Sequence, residues 1–151
     1  MSELDELYQE IILDHNKNPR NFHKMEDANH MADGYNPLCG DKVTVYLHLD
    51  GDVVSDISFD GKGCAISTAS ASLMTETIKG KTLDEVKTMF ESFHDLVTGR
   101  KDPMKCEVCV GKLKVLAGVR QFPMRVKCAT LCWHTLKAAI ESNEDEFVTT
   151  E

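Results

Sequence analysis

At 151 residues the chain is long enough for one domain with a real core, and 42% hydrophobic against 28% charged residues is ordinary for a soluble globular protein. A net charge of −8 argues against a nucleic-acid binder. No run approaches the ~18 apolar residues of a membrane span, and the acidic start MSELDELYQE lacks the apolar stretch of a signal peptide. A cytoplasmic protein is expected, in which thiols stay reduced and six cysteines call for metal, reactive or packing roles rather than disulfides.

Residues 3–16 predict a helix: Leu4, Leu7, Ile11 and Ile12 recur at helical spacing, Ser2 can cap it, and Asn18-Pro19 ends it. Residues 17–37 have no clear period and read as loop, with His15, His23 and His30 as exposed or locally bonded histidines. Lys42–Leu49 alternates and is rich in β-branched residues, Asp50-Gly51 is a hairpin turn, and Val53–Phe59 returns. After the tight turn Asp60-Gly-Lys-Gly63, Cys64–Ser67 reads as a short third strand. A helix follows to Ile78, its small residues suited to close packing, with Gly80 as its C-cap. Thr82-Leu-Asp-Glu85 is a capping box for a helix to about Phe93. Cys106–Ala117 predicts another helix, Pro123 breaks the chain, and a long helix runs from about Val126 to Ile140. Residues 142–151 are polar and acidic and read as a frayed tail. The expected fold is therefore α+β: a small three-stranded antiparallel sheet with helices packed on it and a long C-terminal helix, in one domain over residues 1–151.

The chemistry-bearing residues fall into two competing groups. Cys39 and Asp41 flank Gly40 where a loop enters a strand; Cys64 follows the turn at Gly61 and Gly63; Cys128 lies near the start of the last helix, after Arg125 and Lys127. Three thiolates and a carboxylate are donors of the kind zinc takes tetrahedrally. The rival is a structural zinc site of Cys106, Cys109, Cys128 and Cys132, favoured slightly by local spacing. A redox role for Cys106-x-x-Cys109 is weaker, because no βαβ pattern surrounds it. Ser67, Ser70 and Ser72 lack a convincing base and read as packing residues, and Gly61-Lys-Gly63 is too short to cradle a phosphate. Between Thr98 and Lys127 eight basic residues face only Asp102 and Glu107, a local basic face suited either to a partner or to solvent.

Three segments carry a resemblance. Asn36-Pro-Leu-Cys-Gly-Asp41, Asp60-Gly-Lys-Gly-Cys-Ala-Ile-Ser67 through Gly80-Lys81, and Arg125-Val-Lys-Cys-Ala-Thr-Leu131 resemble the ligand segments of the IscU/NifU-N superfamily of iron–sulfur assembly proteins. The match runs from about residue 3 to 142, in order. Two departures from the scaffold pattern resemble the SufU branch: Lys127 stands where the scaffolds carry histidine, and residues 99–121 are an insertion.

The resemblance implies a zinc-dependent sulfurtransferase that takes persulfide sulfur from a cysteine desulfurase and passes it to the SUF assembly proteins. It implies Cys39, Asp41, Cys64 and Cys128 as the Zn²⁺ ligands, Cys39 as the sulfur acceptor, freed by a ligand exchange at zinc, and Arg125 as a contact to the partner or the persulfide. It leaves Cys106 and Cys109 outside the site. Two alternatives stand beside it: a scaffold that transiently assembles a [2Fe–2S] cluster on the same ligands, and an interaction module with the four-cysteine zinc site.

Overall fold

The computed structural model describes residues 3–37, 40–98, 116, 123–141 and 147–149. In chain order these form α1 (Glu3–Lys17), β1 (His30–Asn36), β2 (Asp41–Asp50), β3 (Val53–Lys62), α2 (Ala65–Ile78), α3 (Leu83–Val97), α4 (Pro123–Glu141) and β4 (Phe147–Thr149). The architecture is the expected α+β arrangement, three antiparallel strands carrying helices and ending in a long helix. The helix expected over Cys106–Ala117 lies outside the described residues except for Leu116, which is fully buried.

The third antiparallel strand is not Cys64–Ser67. It is β1, which pairs with β2 from His30 against Leu47 to Asn36 against Asp41. Cys64–Ser67 instead begins α2, with the Cys64 sulfur accepting the Ser67 N–H at 3.4 Å as its N-cap. The segment His30–Asn36 contains Gly, Asp and Asn, poor strand formers, so its pairing is imposed by the neighbour rather than by propensity. Within the stretch expected to fray, β4 pairs in parallel with β1, giving the sheet order β3-β2-β1-β4.

The core lies between the sheet and the helices. Val43, Val45 and Leu47 of β2, and Val54, Ile57 and Phe59 of β3, meet Leu73, Met74 and Ile78 of α2 and Leu131 and Leu136 of α4 in one buried cluster. Each such side chain contributes about 1.5–3 kcal/mol by leaving water. Helix α2 is wedged between α1 and α4 and is buried along most of its length, which explains its small residues. Two of its buried hydroxyls tie it to its neighbours: Ser70 Oγ donates to the Ala129 carbonyl at 2.6 Å, and Ser72 Oγ accepts the Arg20 N–H at 2.8 Å while lying 2.7 Å from His15 Nδ1. His15 is thus an interior tie between α1 and α2 rather than an exposed histidine.

Both halves of the Thr82–Glu85 capping box are formed, and α3 runs one turn beyond its expected end. Phe93 of α3 stacks on Trp133 of α4, ring centres 4.9 Å apart. Helix α4 begins at Pro123, the position where proline's missing N–H costs nothing. Among the described residues no helix is long and apolar enough to cross a membrane.

Candidate metal centre

Three elements end at one place. Strand β2 begins with Asp41, 2% exposed, directly after Gly40, whose positive φ of 76° belongs to the connection from β1. Gly40 N–H donates to the Asn36 carbonyl at 2.8 Å, closing that connection. Strand β3 ends at Lys62, and Gly63 leads to Cys64 at the head of α2. A Cβ at Gly63 would lie 3.0 Å from Asp41 Oδ1 and 3.1 Å from the Ser67 side chain, so glycine is what lets the strand and the helix start meet so closely. Cys128 is in the second turn of α4 and is buried.

The carboxylate of Asp41 joins two of these elements. Its Oδ1 accepts the Cys64 backbone N–H at 2.8 Å, and its Oδ2 lies 3.6 Å from Cys64 Sγ. The ligand atoms of Asp41, Cys64 and Cys128 all fall within 4.8 Å of one another. Donors bound to one zinc ion at about 2.0–2.3 Å are about 4 Å apart, so a small adjustment suffices.

The Cys64 thiol is the easily ionised member. Its pKa is drawn down to about 7, chiefly because the Cys128 thiol donates a hydrogen bond to it, and further by the N–H groups of Ser67 and Ile66 at the head of α2. Burial and the Asp41 charge oppose that shift. Cys132, one turn beyond Cys128, behaves differently. It is buried against Ser70 Oγ (3.5 Å) and the Ala129 carbonyl (3.8 Å), and burial pushes its thiol up to about 12.

The structure therefore brings together Asp41, Cys64 and Cys128, three of the four residues that the first grouping named. The fourth, Cys39, lies outside the described residues, as do Cys106 and Cys109 of the rival grouping. Cys132 is not among the ligand atoms that surround Cys128. Arg125 is exposed in the first turn of α4 and Lys127 is half-buried. Ser67, Ser70 and Ser72 are buried in α2, but Ser72, expected to lack a base, has His15 beside it. The sequence reading missed that His15–Ser72 pairing, since the two residues are 57 positions apart and no local pattern links them.

The model of the NifU-like N-terminal domain matches residues 7–129. This chain belongs to that family. The zinc-dependent sulfurtransferase SufU of Bacillus subtilis is 43% identical over 141 residues, covering 93% of this chain and 94% of that one. The iron–sulfur cluster assembly scaffold protein IscU of Streptococcus pyogenes is 40% identical over 141 residues, covering 93% and 87%. Among solved structures, a protein from Fervidobacterium islandicum described as an iron–sulfur cluster assembly scaffold for the SUF system superposes with a TM-score of 0.81 at 39% identity, covering 89% of this chain and 97% of that one. These likenesses account for the fold. The donor set of this member, one carboxylate oxygen and two sulfurs on rigid elements, suits zinc, and it suits iron as well.

Proposed function

We propose that this chain is a zinc-dependent sulfur acceptor and sulfurtransferase in iron–sulfur cluster assembly, taking persulfide sulfur from a cysteine desulfurase and handing it to the SUF assembly proteins. The observation that carries this reading is the convergence of Asp41, Cys64 and Cys128 from three elements. The likeness to the Bacillus subtilis sulfurtransferase supports it.

In this reading Cys39, two residues before Asp41, completes the ligand set and accepts the sulfur. Its thiolate attacks the outer sulfur of a persulfide on the partner. A new S–S bond forms at Cys39, the partner's S–S bond breaks, and the partner's cysteine leaves as a thiolate, so no outside oxidant is needed. Delivery is the same exchange with an accepting thiol further along. Bound zinc would hold the ligand thiols deprotonated and fasten the segments without redox chemistry of its own. Asp41 orients the Cys64 backbone, and Arg125, exposed beside the third segment, contacts the partner or the persulfide anion.

The test is metal analysis of the purified protein together with desulfurase turnover measured with and without it. Stoichiometric zinc and faster turnover are expected, with the gain lost in Cys39→Ala. Full sulfur acceptance by Cys39→Ala would overturn the acceptor assignment. The scaffold reading is kept in view by the relatives named as scaffolds. Anaerobic reconstitution separates the two: a stable, transferable [2Fe–2S] cluster would favour the scaffold, whereas Lys127 in place of a histidine argues for its absence.

A further inference from the structure

The positive charge around the centre is arranged against the interests of folding. Lys42 of β2 and Lys62 of β3 are exact register partners in the antiparallel pair, both exposed. Like charges directly opposite on neighbouring strands are destabilising. Arg125 and Lys127 lie in the first turns of α4, which holds no acidic residue there. Cations at that end oppose the helix dipole. Among the described residues, Lys42, Lys62 and Lys127 make no ion pair with a carboxylate. Lys42 instead rests over the Tyr35 ring, 5.6 Å from its centre. Along the chain each cation adjoins a residue of the centre: Lys42 follows Asp41, Lys62 precedes Cys64 by two residues, and Arg125 and Lys127 precede Cys128; Lys42 and Lys62 also line one shallow cleft with Gly63 and Ser67. The whole chain is nonetheless acidic, at −8.

The cations come from three elements, Lys42 and Lys62 from the ends of β2 and β3 and Arg125 and Lys127 from the head of α4. The cleft beside Lys42 and Lys62 is open to solvent and has room for about one water molecule, about 10 Å³. It is too small to enclose an anion, so the two lysines are placed to meet a surface rather than to line a cavity.

We propose that Lys42 and Lys62 form one side of a docking rim for an acidic surface on the protein that donates sulfur to the centre. This rests on the sulfur-acceptor reading above. Such a rim steers the donor toward the thiols and sets the salt dependence of the encounter.

The experiment measures desulfurase stimulation and binding by the zinc-loaded chain from low to high salt, for wild type, the Lys42→Glu/Lys62→Glu double variant and the Lys42→Arg/Lys62→Arg double variant. The glutamate variant is expected to keep its zinc, to bind about tenfold more weakly at low salt, and to lose much of the salt dependence; the arginine variant is expected to behave as wild type. Unchanged affinity and salt dependence in a zinc-loaded glutamate variant would overturn the rim, as would competition by millimolar inorganic phosphate as effective as that of sodium chloride at tenfold higher ionic strength. Should the glutamate variant fail to fold, a salt-independent wild-type interaction would overturn it equally. Failure of wild type to stimulate the desulfurase at any salt concentration would instead sink the underlying reading.

Discussion

Asp41 Oδ1 accepts the backbone N–H of Cys64 at 2.8 Å while its Oδ2 lies 3.6 Å from the sulfur of the same residue. One carboxylate therefore does two jobs, fixing the head of α2 and offering an oxygen to whatever the thiols hold. The two jobs come apart on mutation. Asp41→Ala should destabilise the metal-free protein by about 1 kcal/mol, the net contribution of a hydrogen bond to a part-buried N–H, and should also weaken zinc binding. Asp41→Asn keeps an oxygen for the N–H, so urea unfolding of the metal-free form should stay near wild type while zinc affinity falls. Equal stability of the alanine and asparagine variants would show that the hydrogen bond carries nothing.

The cysteines should sort by place. Cys64→Ala and Cys128→Ala are expected to lose zinc, and Cys132→Ala to retain it, because Cys132 is spoken for by Ser70 and the Ala129 carbonyl. The double variant Cys106→Ala/Cys109→Ala should also retain zinc. Loss of metal from that double variant, measured by elemental analysis, would revive the four-cysteine site.

Ser72→Ala leaves the Arg20 N–H and His15 Nδ1 without their shared hydroxyl. A loss of about 1–3 kcal/mol in denaturant unfolding is expected, with zinc content unchanged. The effect should be on the seating of α1 against α2, away from the centre.

Acid should act through His134. Burial holds its imidazole below the ordinary 6.5, and His94 and Lys137 push the same way. The unfolded chain takes up that proton near 6.5, whereas the folded chain takes it up only at lower pH. The histidine's contribution is thus complete above pH 6.5 and is lost as pH falls through 6.5 toward the lower folded value. Phe90 packs edge-on to His134 at 5.4 Å, and neighbouring Trp133 is the single tryptophan, a built-in fluorescent reporter. Urea midpoints between pH 7.5 and 5 should fall less steeply in His134→Gln than in wild type; parallel curves would remove His134 from the account.

Much of this was legible in the residues. The β2–β3 hairpin announced itself through alternation and Asp50-Gly51, and the α3 start through its capping box, since both are local signals. Helix α2 was placed slightly late because a cysteine at the N-cap is outside the usual set of capping residues. Strand β1 was missed because Asp33, Gly34 and Asn36 have no strand preference of their own; they pair because β2 offers an edge. Asp41, Cys64 and Cys128 could be grouped only through glycine placement and family likeness, since local spacing favoured Cys106, Cys109, Cys128 and Cys132.

The bond from Ser70 to the Ala129 carbonyl has a bearing on selectivity. It crosses from α2 to α4 at 2.6 Å, one residue beyond Cys128 and less than two turns beyond Cys64. The two sulfurs thus ride on helices tied together just behind them. Ions whose bonds to sulfur are long must prise the helices apart, whereas zinc or iron, with shorter bonds to sulfur, asks for only a small adjustment.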